Sequence, residues 1–144
     1  MIAYVESSAV AAWILGERNS AFAQQTLHAA ERVVSSSLTA LECARSFARA
    51  RATGRLKPAD ELAALRLLDV AKRSWHVFDL SDDVLARART PFPVEPVRTP
   101  DALHLATASI FREKLGPIAL LSFDERIRAN APALGLELLP AQLS

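Results

Sequence analysis

The sequence holds one cysteine, three lysines and few glycines among its 144 residues, and each scarcity closes off a class of chemistry. The single thiol, Cys43, excludes an internal disulfide and a cysteine-based zinc site, which leaves it as a small apolar filler. There is no Gly-rich phosphate loop and no Gly-x-Ser-x-Gly elbow, so nucleotide hydrolysis and acyl transfer have little to build on. The longest apolar run, Ala9 to Leu15, is too short to cross a bilayer, and Glu6 stands where a signal peptide would continue apolar. A cytoplasmic protein with no membrane partner is the expectation. Net charge is only +1, no nucleic-acid signature in itself. Lysine is confined to Lys57, Lys72 and Lys114, so nearly all positive charge is arginine. The planar arginine fork suits phosphate, and a GC-rich genome produces the same bias.

What is present describes a folding domain. With 51% hydrophobic and 23% charged residues in 15.6 kDa, the chain can bury its own core and is read as one domain over residues 1–144. Ile2 to Val5 is apolar or aromatic throughout, as in a strand buried on both faces, and Ser7 or Ser8 offers a cap to the next helix. A second helical stretch carries Phe22, Ala23, Leu27 and Ala30, followed by a short strand, Arg32 to Val34, that ends in the serines 35–37. Leu38 to about Thr53 and a stretch opened by Pro58 form a helical hairpin broken at Gly54. In its second arm Leu62, Leu65, Leu68 and Ala71 or Lys72 define one face, apolar through its leucines, that packs on the core or on a partner, the core being the plainer reading. His76 to Leu80 reads as a strand, Ser81 opens a helix, and the prolines between Pro91 and Pro100 demand a loop. Thr99, Pro100 and Asp101 open a helix through about Lys114, Ile118 to Leu121 is a strand, Asp124 caps a short helix, and Leu136 to Leu139 follows. Such alternation predicts an α/β fold with a central, mainly parallel sheet of about four to five strands, flanked by helices on both faces.

Glu6, Glu42, Asp101 and Asp124 each stand where a strand has ended or a helix has begun, and a parallel sheet gathers such positions at the carboxyl ends of its strands. Three have local explanations: Glu42 as the last member of a capping box opened by Thr39, Asp101 as part of a first turn, Asp124 as a plain N-cap. Glu6 resists this treatment. A carboxylate directly after a buried strand is costly to desolvate unless something positive or hydrogen-bonding meets it, and a metal ion would do so. Hard cations such as Mg²⁺ and Mn²⁺ take oxygen ligands, activate water and stabilise the leaving oxygen of a phosphodiester. His104 follows Asp101 by one helical turn, as a site residue or as a satisfied interior histidine. Arg45 and Arg49 share a helix side with Glu42, either as a solvated face or as contacts to an RNA backbone leaving the acidic pocket. Arg98 and His104 are further candidates for that contact.

Four segments in order along the chain resemble the PIN-domain nucleases, specifically the VapC toxins of bacterial toxin–antitoxin pairs: IAYVESSAVAAWILGE, SSLTALECARSFARA, RTPDALHLATA and LLSFDERIRANAPALGLELL. The resemblance implies a PIN-like fold in which Glu6, Asp101 and Asp124 bind metal, Glu42 completes the acidic site, and Ser8 and Ser122, with Thr99, support it. It implies Mg²⁺- or Mn²⁺-dependent endonucleolytic cleavage of RNA leaving a 5′-phosphate. It also implies an antitoxin whose C-terminal segment covers the acidic groove, and a homodimer. One position departs: the family nearly always has Asp where Glu6 stands, and the extra methylene moves the carboxylate by about 1.5 Å. Glu6 as a ligand of shifted geometry, as the mark of a weakened nuclease, and as a substitution that lets a toxic protein be produced all stay open. So do two other functions, an RNA-processing PIN nuclease without an antitoxin and an inactive PIN binding module.

Overall fold

The computed structural model describes residues 1–144. Its five strands, β1 (Ile2–Val5), β2 (Arg32–Ser36), β3 (His76–Phe78), β4 (Ile118–Leu121) and β5 (Glu137–Leu139), form one sheet in the order β3-β2-β1-β4-β5. Every pairing is parallel. Seven helices cover it: α1 (Ser7–Leu15), α2 (Ser20–Ala29), α3 (Ser37–Ala52), α4 (Pro58–Lys72), α5 (Asp82–Ala88), α6 (Thr99–Leu115) and α7 (Glu125–Arg128). No helix is long and apolar enough to cross a membrane.

The central strands feed two cores because successive side chains of a strand point to opposite faces. Tyr4, Val34 and Leu120 pack with Leu105, Ala108 and Phe111 of α6 on one face. Val5, Val33 and Leu121 pack with Val10 of α1, Phe47 of α3 and Leu68 of α4 on the other. The chain runs outward from β1 through β2 to β3, then returns through α5 and α6 to place β4 on the other side of β1. This reversal opens a crevice at the carboxyl ends of β1 and β4, onto which the residues just after those strands project.

Several local features differ from the sequence expectation, each through tertiary contacts. Glu6, rather than Ser7 or Ser8, is the N-cap of α1, its carboxylate accepting from the Ser8 N–H at 3.0 Å. The helix ends at Gly16, whose φ of 65° is left-handed and free of Cβ strain. β2 continues through Ser35 and Ser36, both paired with β3, and the Ser35 hydroxyl donates to the Val5 carbonyl at 2.7 Å. Ser36 then caps α3 by accepting from the Leu38 N–H. Thr39 and Glu42 therefore form no capping box, and the Thr39 hydroxyl is buried without a partner. β3 stops at Phe78, short of Leu80. In α4, docking against α1 and α3 turns the small Ala64 inward with Leu68, which leaves Leu62 exposed instead of packed.

Cys43 is fully buried in the second core, and burial, aided by Glu6 and Glu42, pushes its thiol up to about 12. Because the thiolate is the reactive form, the native protein at mildly alkaline pH is expected to resist labelling by an aromatic disulfide reagent and to react fully once denatured. Rapid labelling of the folded chain would show that this core opens.

Candidate active site

Glu6 leaves β1 at the switch point and is almost fully buried, yet its carboxylate is well served. Oε1 accepts from the Ser122 hydroxyl at 2.6 Å and from the Ser8 hydroxyl, and Oε2 accepts from the Ser8 N–H. The Ser7 hydroxyl lies between Glu6 Oε2, at 3.3 Å, and Glu42 Oε1, at 3.1 Å, so a single proton is shared between the two acids. The sequence reading set capping aside for Glu6, and the structure makes it the cap of α1. The start of α1 and a cage of hydroxyls compensate the buried charge, and no cation is required for that purpose.

The two outer serines also accept. Ser8 Oγ takes the Phe123 N–H at 2.8 Å and Ser122 Oγ takes the Asp124 N–H at 3.1 Å. Glu6 is thereby tied, through one hydroxyl each, to the turn between β4 and α7 that carries Asp124. Asp124 caps α7 by accepting from the Arg126 N–H at 2.9 Å, and the Arg126 guanidinium folds back onto it at 3.3 Å. Asp101, in the first turn of α6, is 6% exposed. Burial and then repulsion from Asp124 raise its pKa, against partial relief chiefly from Arg126 and Arg98, and no hydrogen bond offsets the rise.

Glu6, Glu42 and Asp124 line one cleft of about 430 Å³, and Arg45, Arg49 and Arg98 stand around the same cleft. Four of the sequence candidates do not line it: Asp101 and Ser122 are buried, at 6% and 0% exposed, and Thr99 and His104 lie elsewhere. Thr99 lines a separate cleft with Val97 and Leu103. His104 is 1% exposed, so it has no surface to offer RNA; its Nε2 meets Glu42 Oε1 and its Nδ1 meets the Tyr4 hydroxyl. Reasoning from sequence missed Ser7, Arg126 and Tyr4. Ser7 adjoins Glu6 and was read only as a cap; Arg126 and Tyr4 carry no sequence signal that separates them from an ordinary surface charge and an ordinary core aromatic.

No group of three His, Cys, Asp or Glu side chains is arranged as a ready-made metal cage. The acids around the cleft nonetheless offer only oxygens, and Asp101 and Asp124 repel each other with only the exposed Arg126 to ease them. Such a pair suits a hard cation that keeps much of its water and is held by one or two carboxylates, as Mg²⁺ commonly is.

The family model described as "PIN domain" matches residues 3–131. Among solved structures, the fold resembles a toxin–antitoxin complex from Klebsiella pneumoniae at 20% identity and TM-score 0.61, covering 90% of this chain and 92% of that one. It resembles VapC20 of Mycobacterium tuberculosis, described as a toxin cleaving the sarcin–ricin loop, at 16% identity and TM-score 0.60, covering 88% and 93%. It also resembles VapBC2 of Rickettsia felis, bound to a DNA fragment from its promoter, at 14% identity and TM-score 0.64, covering 96% and 97%. No curated protein sequence matches the chain.

Proposed function

Because this chain belongs to the PIN-domain family, we propose that it is a metal-dependent endoribonuclease, the toxin of a toxin–antitoxin pair. The observation that carries this reading is a cleft lined by three acids, Glu6 and Asp124 after β1 and β4 and Glu42 of α3, and bordered by Arg45, Arg49 and Arg98, with the buried Asp101 of α6 near enough to Asp124 to be repelled by it. Structural neighbours described as toxins or toxin–antitoxin complexes support the toxin role.

Asp101 and Asp124 are the residues to hold Mg²⁺ or Mn²⁺, which when bound supplies Lewis acidity and an activated water. The chain's own contribution is placement. Arg45, Arg49 and Arg98 face the phosphates of a strand entering the cleft, and arginine forks fix a phosphate by paired hydrogen bonds. Glu42 offers a carboxylate oxygen on the opposite wall. Glu6 anchors the serines that orient the Asp124 turn, and direct ligation by Glu6 would require it to give up one of these hydroxyls. An antitoxin is proposed to seat over this cleft with a basic side chain among the acids, and a homodimer is proposed for the toxin itself.

The saturated hydrogen bonding of Glu6 favours a second reading, a PIN module that binds without cutting. Cleavage of structured RNA with and without Mg²⁺ or Mn²⁺ by the natural chain and by Glu6→Asp separates the two. Aspartate is among the best N-caps, so α1 should form in the variant. Cutting by both proteins that a chelator stops is expected, with Glu6→Asp at least as fast. Cutting by neither would sink the nuclease reading in favour of the binding module.

A further inference from the structure

Tyr4 and His104 are among the largest side chains wholly inside the molecule, at 0% and 1% exposed, and they are joined to each other. Tyr4 Oη lies 2.9 Å from His104 Nδ1, with the rings edge to face at 6.1 Å. His104 Nε2 in turn meets Glu42 Oε1. The three residues belong to β1, α6 and α3, so the chain of hydrogen bonds runs from the sheet through the helix on one face to the helix on the other. Apolar side chains would fill both interior positions with no polar atoms to satisfy, so packing alone does not account for this pair.

The protons can be assigned. Glu42 Oε1 is a carboxylate oxygen and can only accept, so His104 Nε2 carries the proton of that contact. A neutral imidazole protonated there has Nδ1 left to accept, which makes the Tyr4 phenol the donor to it. The Ser7 hydroxyl reaches Oε1 as well. Both contacts therefore hold the same oxygen of Glu42, while Oε2 keeps no protein partner on a side chain that lines the cleft.

We infer that Tyr4 and His104 are positioning residues: a relay from Tyr4 Oη–H to His104 and from His104 Nε2–H to Glu42 pins one carboxylate oxygen and presents the other to the cleft. The inference rests on the reading of that cleft as a nuclease site and deepens it, because the aim of Glu42 is set by two residues that never touch substrate.

Long-range ¹⁵N–¹H spectra of the histidine rings test the relay independently of any RNA cleavage. In the natural chain His104 should be protonated on Nε2, and Tyr4→Phe and Glu42→Gln should each shift its ring nitrogens. The functional arm uses His104→Leu, which loses the donor, and His104→Gln, whose amide nitrogen can stand where Nε2 stands. Outer partners of this kind are commonly worth about 10- to 100-fold in activity. His104→Leu should lose that much turnover with RNA KM unchanged, and His104→Gln should recover most of it, both with cooperative melting. A proton on Nδ1 in the natural chain, ring signals indifferent to Tyr4→Phe and Glu42→Gln, or full turnover in His104→Leu would overturn the relay. Should the natural chain cut no RNA, the proposed function falls, and the ring spectra alone then uphold or overturn the relay.

Discussion

Asp101→Asn is expected to lose RNA cleavage and to melt at a higher temperature than the natural protein at neutral pH. The two effects share one cause. Asp101 is buried beside Asp124 with no hydrogen bond to offset its charge, so folding raises its pKa. A carboxyl whose pKa is higher folded than unfolded stabilises the native state when protonated, and that stability is lost as pH rises through the raised value. At neutral pH the ionised Asp101 is therefore a cost, which the isosteric neutral amide removes. As pH falls and the natural Asp101 takes up its proton, the difference in melting temperature should close. The same ionised pair is what a hydrated cation needs, so cleavage should fall by about 100-fold or more, the scale for losing one group that stabilises charge in the reaction. Melting curves between mildly acidic and neutral pH, beside RNA cleavage, decide the matter. A variant less stable than the natural protein at neutral pH would show that something in the fold compensates Asp101, and unchanged cleavage would remove Asp101 from the site.

Arg128→Met is expected to cost the most stability of any single change at the site's margin. Arg128 is 7% exposed, and its guanidinium donates to the carbonyls of Ser122 at 2.9 Å, Pro140 at 2.7 Å and Ala141 at 3.3 Å. Methionine keeps a similar stem and removes every donor. Leaving the buried Ser122 carbonyl unserved, together with losing the charge-assisted bonds to the more exposed Pro140 and Ala141 carbonyls, costs about 2–4 kcal/mol. For a chain of this size that is on the order of a 10 °C fall in melting temperature. Cleavage should fall too, because Ser122 sits between Glu6 and the Asp124 backbone. Arg126→Met is the contrast: that pair with Asp124 is exposed on the arginine side, and exposed pairs contribute about 0–1 kcal/mol. Equal melting of the two variants would show that Arg128 is not the tie between the C-terminal segment and the site.

The elements most legible in the sequence are those whose own residues decide them. Uniform apolar character marks β1 and β4, and the serine–acid start marks α5. Pro100 with Asp101 marks the start of α6, and the proline run marks the loop before it. Where an element depends on a neighbour, local signals mislead. Ser35 and Ser36 read as a turn and are strand, because β3 pairs with them and Val5 accepts from Ser35. Leu62 fits the apolar spacing of α4 and is exposed, because the approach of α1 and α3 selects the side bearing Ala64.

The same division holds at the site. Order along the chain was enough to nominate Glu6, Glu42, Asp101 and Asp124 as candidates, since a parallel sheet sends whatever follows its central strands to one end, and that rule needs only the positions of strands and acids. What each acid does there was decided in three dimensions. Glu6 is caged by hydroxyls from its own helix and from the turn after β4; Asp124 is paired with Arg126; Asp101 is left without a donor. Glu42 is held by a histidine 62 residues away. The charge and hydrogen bonding of a carboxylate depend on atoms within a few ångströms. Which atoms those are follows from how α1, α3, α6 and the turn before α7 pack over the ends of β1 and β4.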